Sequence, residues 1–297
     1  MPGKILVSGS SGLLGTALLP ALRTSGYEVE CLVRGAASGT ERIAWDPARP
    51  LAPESISGFD AVIHLAGESI VGRWTEAKKR RIRESRVQGT RNLAEALAAA
   101  RQRPRLLISA SAIGYYGDRG NETLREESSP GTGFLPEVCR EWEAATEPVA
   151  RAGIHTVQMR FGVVLSASGG ALQKMLTPFR MGVGGNMGNG RQWTSWVDID
   201  DLVGAVQHVI KTEVLQGPVN VVAPNPVQNA EFTKTLASVL SRPAIFPMPA
   251  FAARLVFGQM ADELLLASQR VEPTKLMASG YVFQKPVLRV ALEAILK

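Results

Sequence analysis

The sequence predicts an α/β fold: a doubly wound parallel sheet followed by a smaller, mostly helical C-terminal lobe. Three observations predict it. Apolar runs of strand length alternate with helix-length amphipathic stretches over the first two thirds of the chain. A turn with glycines at positions 9, 12 and 15 follows the first of those runs. The length of 297 residues suffices for one large α/β unit with a satellite. Residues 1–165 form the sheet domain, to which 191–222 return; 166–190 and 223–297 form the second lobe.

Lys4 to Ser8 reads as an apolar strand, and Gly9-Ser10-Ser11-Gly12-Leu13-Leu14-Gly15 as a tight turn opening a helix. Such a turn needs positive φ, which glycine adopts without a Cβ penalty. The free N–H groups of the helix start point at whatever lies above them, and an anion suits them. Together these describe a pyrophosphate cradle for a dinucleotide, with residues 9–15 lining it. The helix runs from about Leu13 to Ser25, and Glu28 to Val33 is the second strand. Strand, helix and strand in about 30 residues make a βαβ unit, whose right-handed crossover sets the strands parallel. This is the Rossmann arrangement.

Arg34 ends the second strand, about 20 residues beyond Gly15, where an acidic residue would accept from a ribose 2′-hydroxyl. A guanidinium cannot accept, and suits a 2′-phosphate, with Ser10 or Ser11 adding hydroxyl donors. NADP is therefore expected over NAD. Ile43 to Asp46 reads as a third strand, with Asp46 placed to accept from an adenine amino group and Trp45 more often core than ligand contact. Ala61 to Gly67 is a fourth strand running into a small-residue turn, so Leu65, Ala66, Gly67 and Glu68 should lie along the cofactor. His64, inside that strand, reads as a satisfied core histidine.

A long helix is expected from about Thr75 to Arg101, with a possible break near Ser85. Leu106 to Ser111 is a fifth strand, ending in hydroxyls ahead of Ile113-Gly114-Tyr115-Tyr116-Gly117. One helix from about Leu135 to Ala152 precedes a sixth strand, His155 to Arg160. Gly182 to Gly190 holds five glycines and reads as a turn or hairpin, since no helix follows it directly. Asp198 reads as a helix N-cap, and Val219 to Val222 as a seventh strand. From about Pro224 the chain is helical and proline-punctuated.

Hydrophobic residues make up 45% and charged residues 20%, the balance of a globular protein. Two cysteines, Cys31 and Cys139, make no disulfide framework and suggest a reducing, cytoplasmic setting. No signal peptide and no apolar stretch of membrane-spanning length is visible. The net charge of +6 raises nucleic acid as a partner, but the densest basic run, Lys78 to Arg81 with Arg83 and Arg86, sits in a helical pattern with Glu76 and Glu84 and without aromatic interleaving. It reads as a solvated helix face, and no nucleic-acid, membrane or metal site is expected. A basic surface also favours phosphate-bearing small molecules.

The set Gly9/Gly12/Gly15, His64-Leu65-Ala66-Gly67, Ser109-Ala110-Ser111 and Trp196-Val197-Asp198-Ile199-Asp200-Asp201 resembles the extended short-chain dehydrogenase superfamily. More closely, Leu65-Ala66-Gly67-Glu68, Trp142-Glu143, the Arg160 to Leu165 strand and the segment from about Ala244 resemble its sugar-nucleotide-epimerase-like "epimerase family" subgroup. The resemblance covers essentially the whole chain. It implies NADP(H), a substrate lobe, an oxidoreductase or epimerase acting on a carbonyl or nucleotide-sugar-like small molecule, Arg160 near the cofactor and, by analogy, a homodimer.

The chain departs from the superfamily at its working pair, Tyr-x-x-x-Lys on the helix after the fifth strand. Aligned on Trp142-Glu143, the pair becomes Leu135 and Cys139. The same spacing occurs once, at Tyr281 and Lys285, far from the fifth strand and ahead of Pro286, and is read as chance. Ionising a free Tyr near pH 7 costs about 4 kcal/mol, and the missing Lys is what lowers that cost. Tyr115 or Tyr116 would then supply the proton, with Ser111 orienting a substrate oxygen. Counting back from Tyr116-Gly117 puts Ala112 at the usual serine position, whereas matching Ser-Ala-Ser-Ala puts Ser111 there; Ser111 is preferred. Cys139 as nucleophile is less favoured than Cys139 as packing. The alternative is a non-catalytic NADP(H)-binding protein that reports redox state to a partner.

Overall fold

The computed structural model describes residues 3–35, 39 and 41–297. Its centre is a seven-stranded sheet of β1 (Lys4–Ser8), β2 (Glu28–Val33), β3 (Arg42–Ala44), β4 (Ala61–His64), β5 (Leu106–Ala112), β7 (His155–Phe161) and β11 (Gly217–Val221). Three two-stranded pairs complete the count: β6 (Thr123–Leu124) with β13 (Arg270–Val271), β8 (Val163–Leu165) with β10 (Trp196–Asp198), and β9 (Trp193–Thr194) with β12 (Val227–Gln228). The sheet order is β3-β2-β1-β4-β5-β7-β11, and every neighbouring pair is parallel. Strand order therefore reverses between β1 and β4, the switch point where a crevice opens beyond the carboxyl ends.

The pleat sends alternate residues to opposite faces. Ile5, Val7, Ala61 and Ile63 join one core with Leu18 and Leu22 of α1 (Leu13–Thr24) and the apolar side of α6 (Ile199–Lys211). Leu6, Leu32, Val62 and Leu107 join the other, with Leu93 and Leu97 of α2 (Glu76–Ala99) and Val149 of α4 (Glu147–Arg151). A third core joins α5 (Gly170–Arg180), α7 (Asn229–Leu240) and α10 (Leu288–Leu296) around the buried Trp196. The lobe is completed by α8 (Ala250–Phe257), a π-helical turn at Ala261–Leu265 and α9 (Thr274–Ala278).

Two expectations are corrected. α2 is unbroken at Ser85, whose hydroxyl donates back to the Ile82 carbonyl at 3.1 Å and leaves the helix intact. The single helix expected over 135–152 is two, α3 (Phe134–Ala144) and α4, because Pro148 cannot continue α3 and sits in the first turn of α4. The Gly182–Gly190 segment holds the turn expected of it, the Gly190 N–H donating to the Met187 carbonyl at 3.0 Å, and Met187 also bridges Met248 in parallel, just ahead of α8. Asp198 caps α6 as expected, its carboxylate accepting from the Asp200 N–H at 2.9 Å.

Candidate functional site

The turn from β1 to α1 needs glycine at two positions. Gly9 has φ of 72°, and a Cβ there would lie 2.7 Å from the Leu65 carbonyl carbon and 2.8 Å from the Ala66 nitrogen. A Cβ on Gly15 would lie 2.6 Å from the Ser10 Cα. Both neighbours are backbone, so neither can step aside. Gly12, the N-cap of α1, is different: its only close neighbour would be the Gly9 carbonyl at 3.3 Å. No side chain caps α1 and no acidic residue sits in its first turn, so its N–H groups face the crevice with a positive dipole end. Ser10 is half-buried and Ser11 exposed; Leu14 packs into the sheet core, while Leu13 meets Gly169 and Gly170 at the start of α5.

His64 ties this turn to the helices beneath. Its ring nitrogens meet Ser8 Oγ at 2.6 Å and Thr90 Oγ1 at 2.9 Å, and Trp142 Nε1 donates to the same Thr90 hydroxyl at 2.9 Å. The Leu65 N–H donates to both the Ser8 carbonyl and the Ser8 hydroxyl. Burial lowers the His64 pKa from 6.5 to about 4, so the ring is neutral near pH 7. It is a satisfied core histidine that fixes the carboxyl ends of β1 and β4.

Beyond those ends Leu65 and Ala66 are half-buried and Gly67 is exposed. Glu68 pairs with Lys78 at 2.8 Å and Arg81 at 3.8 Å. The Lys78 hydrogen bond, with the charges of Lys78, Arg81 and Arg34, holds its carboxyl below the usual range. Arg34 is exposed at the end of β2. Asp46 accepts from the Ala48 N–H at 3.0 Å and pairs with Arg49 at 3.3 Å, which makes it the cap of the turn after β3. Trp45 is core, edge-on to His64.

At the end of β5 lies a buried network. Arg160 is 2% exposed and grips Glu143 with Nε at 2.7 Å and Nη2 at 2.8 Å. Its Nη1 donates to the Tyr116 hydroxyl at 2.9 Å and the Glu126 carbonyl at 3.2 Å. The Tyr116 hydroxyl donates to Asn220 at 2.7 Å, and the Ser111 hydroxyl donates to Glu143 at 2.7 Å. Burial works against the Arg160 charge, but Glu143 and Tyr116 more than offset it and its pKa lies above the ordinary value. Burial pushes Tyr116 up to about 12.

The residues expected to act at this end are placed as follows by the geometry. Arg160 faces Glu143, not the cradle. Tyr116 is sealed in the core, and Ser111 is buried with its proton committed to Glu143. Ala112, on the opposite face of β5, is half-buried. Tyr115 is half-buried, its ring 3.5 Å from the Arg160 guanidinium, and its hydroxyl makes no hydrogen bond among the described residues. Leu135 and Cys139 pack against the turn after β5, where a Cβ on Gly114 would touch both. Burial first, then Glu143, pushes the Cys139 thiol up to about 12, so it packs as a small apolar group. Tyr281 and Lys285 are elsewhere, bonded to Asp201 and to Asp198 and Asp200 around the start of α6.

Three contributors escaped the sequence reading. Glu143 stood in a noted Trp-Glu pair without a role. Asn220, polar inside Val219-Asn220-Val221, was a visible signal of a buried polar contact. Glu263 gave none: its carboxylate crosses from the C-terminal lobe to accept from the Leu135 N–H at 2.7 Å and the Phe134 N–H at 3.2 Å, capping α3. Between that lobe and the turn after β5 lies a cleft of about 270 Å³, lined by Gly114, Gly117, Pro136, Arg254, Glu263 and Leu266 among others.

The model of the NAD dependent epimerase/dehydratase family matches residues 5–222. The chain belongs to that family. A domain of unknown function (DUF1731) matches residues 248–295, the end of the second lobe. An epimerase family protein of Mycobacterium bovis is 41% identical over 97% of this chain and 96% of its own. The crystal structure of human epimerase family protein SDR39U1 with NADPH superposes with a TM-score of 0.90 at 35% identity, covering 98% of each chain. A nucleoside-diphosphate sugar epimerase structure from Corynebacterium glutamicum superposes with a TM-score of 0.84 at 41% identity, covering all of this chain and 58% of that one. The tight turn and the uncapped start of α1 fit the pyrophosphate of a dinucleotide. Among the described residues no group of His, Cys, Asp and Glu is placed to hold a metal ion, and no helix is long and apolar enough to cross a membrane.

Proposed function

We propose that this chain is an NADP(H)-binding protein of the epimerase family that does not run the superfamily's Tyr/Lys proton transfer, and that its bound cofactor serves as a redox-sensing ligand. One observation carries the binding half: the Gly9–Gly15 turn lies at the β1/β4 switch point over an uncapped helix start, with Arg34 at the end of β2. The NADPH in the human SDR39U1 structure supports the choice of cofactor. Residues 9–15 would hold the pyrophosphate, Leu65 to Gly67 would line the cofactor, and Arg34 would meet the 2′-phosphate.

When bound, the nicotinamide supplies a hydride to or from a substrate carbon. What this chain's residues supply beside it supports a binder over a catalyst. Leu135 and Cys139 carry no usable proton near neutral pH, Ser111 gives its proton to Glu143, and Tyr116 is closed off. A second reading, an oxidoreductase or epimerase acting on a carbonyl or nucleotide-sugar-like substrate, is favoured by one group: the half-buried Tyr115, whose hydroxyl makes no hydrogen bond among the described residues. A proton donor must reach the reacting oxygen within hydrogen-bond distance.

The test has two parts. Fluorescence titration should show NADPH binding more tightly than NADH, with Arg34→Glu erasing the preference; equal affinities in the unmodified protein refute the role of Arg34. Single-turnover oxidation of bound NADPH is then followed across a panel of carbonyls and nucleotide sugars. Inertness supports the binder, and turnover lost in Tyr115→Phe establishes the second reading in its place.

A further inference from the structure

The first turns of α2 carry a charge arrangement that the glycine turn and Arg34 do not account for. Lys78 Nζ and Arg81 Nε both face one carboxylate oxygen of Glu68, at 2.8 and 3.8 Å, and Arg34 acts on the same carboxylate from the end of β2. Arg86, one turn further along α2, donates to the Glu68 carbonyl at 2.9 Å, and a Cβ on Gly67 would lie 3.3 Å from its guanidinium carbon. Among the described residues Arg86 has no carboxylate within 4 Å; its second hydrogen bond goes to the Ile82 carbonyl. One acid thus stands among four cations beyond β2 and β4. Of the other cations of the basic run, Lys79 pairs with Glu76 and Arg83 with Glu137 and Glu141, while Arg80 is exposed and has no carboxylate within 4 Å among the described residues.

We propose that Lys78 and Arg81 complete, with Arg34, a site for the 2′-phosphate of NADP(H), and that Glu68 stands in for that phosphate when no cofactor is bound. The inference rests on the NADP(H) reading above and adds the residues that set its selectivity. A phosphate monoester near pH 7 carries between one and two negative charges and three acceptor oxygens, so it satisfies several cations at once, where a single carboxylate leaves an excess of positive charge. Lys78 is only 14% exposed along its side chain and is held ready by Glu68, which lowers the ordering cost of meeting a phosphate. Arg81 is more exposed, at 57%, and free to swing. Arg86 is turned to the Glu68 carbonyl and to the Trp142 ring, 5.0 Å away, and is not assigned to the phosphate.

The experiment titrates the full-length protein with NADPH, NADH and 2′,5′-ADP, the last reporting on the adenosine end alone. Arg81→Ala and Lys78→Met should each weaken NADPH and 2′,5′-ADP about tenfold, the loss of one charge-assisted hydrogen bond, and leave NADH within about twofold. Glu68→Gln should raise the NADPH-to-NADH preference, because the competing anion is gone. The preference should also shrink as salt rises from 50 to 500 mM, by screening of an accessible charge cluster. Equal losses for NADPH and NADH place Lys78 and Arg81 on the pyrophosphate and overturn the assignment. A lower preference in Glu68→Gln overturns the stand-in role. If neither dinucleotide binds the unmodified protein, it is the underlying NADP(H) reading that fails. Thermal melts separate either result from misfolding, and Arg81, exposed on its helix, is the variant least exposed to that ambiguity.

Discussion

Arg160 decides whether the end of β5 is a buried frame or part of the cofactor site. Replacing it with Met removes a bidentate grip on Glu143 and donors to Tyr116 and the Glu126 carbonyl. The Glu143 side chain is 12% exposed and would keep only the Ser111 hydroxyl as partner among these contacts. Stranding one member of a buried ion pair costs about 3–5 kcal/mol. Replacing both members by apolar groups removes the stranded charge, so Arg160→Met/Glu143→Leu should cost less than the sum of the single variants, with a coupling of about 2 kcal/mol or more. Arg160→Lys keeps the charge, loses the fork and should fall between wild type and Arg160→Met. Urea unfolding measures each value, and shared m-values confirm that the same transition is compared. NADPH affinity, measured where each variant is still folded, should stay within about twofold. A cost for Arg160→Met under about 1 kcal/mol, or strict additivity in the double variant, refutes the frame. A large loss of NADPH affinity with little loss of stability returns Arg160 to the cofactor site.

Gly15→Ala should abolish NADPH binding and lower the melting temperature, since its Cβ would collide with the Ser10 backbone, whereas Gly12→Ala, with only the Gly9 carbonyl at 3.3 Å, should leave stability within about 0.5 kcal/mol and still weaken binding. The folded His64 pKa of about 4 lies below its unfolded value, so the unfolded chain binds the extra proton; stability is full above about pH 6.5 and is lost as pH falls toward 4, by about 3 kcal/mol in all. His64→Gln should flatten that part of the pH–stability curve, and an unchanged slope would remove His64 as its source. Glu263→Ala should cost about 1–2 kcal/mol as a lost cap and speed amide exchange at Phe134 and Leu135; unaltered protection there would mean the cap contributes nothing.

The sheet was legible because its strands are buried on both faces and read as continuous apolar runs between turn signals, which periodicity reports directly. The cradle was legible because its chemistry is local: strand, three glycines and helix lie within a dozen residues. The partners of Arg160 and Ser111 were not legible, for the opposite reason. Each is held by Glu143, which sits on a different element, and no local pattern announces such a pairing. Strand parity did say that Ser111 and Ala112 face opposite ways, but not which side of β5 faces the cleft. Pro148 was a fair warning of the break between α3 and α4. Met187 pairing with Met248, and Glu263 capping α3, depend on how the second lobe packs back, which nothing within either segment encodes.

The helix that carries the superfamily's chemistry makes structural contacts along its length here. α3 begins without a side-chain cap of its own, at Gly133 with φ of 118°, and receives its cap from Glu263 in the C-terminal lobe. That contact uses the N–H of Leu135, the residue standing where the tyrosine is expected. Further along, Cys139 packs on Gly114 and Glu143 locks Arg160. Each turn of α3 thus makes a structural contact: the first to the second lobe, the next to the turn after β5, the last to the carboxyl end of β7. Met260, just ahead of the π-helical turn, accepts from the Gly72 N–H, and Arg73 donates to the Leu255 carbonyl, so the loop after β4 holds the same lobe from the other side. The loop that carries Gly67 and Glu68 is therefore tied, at Gly72 and Arg73, to the second lobe. That is the physical connection a redox-sensing role requires, and it needs no proton-transfer pair on α3.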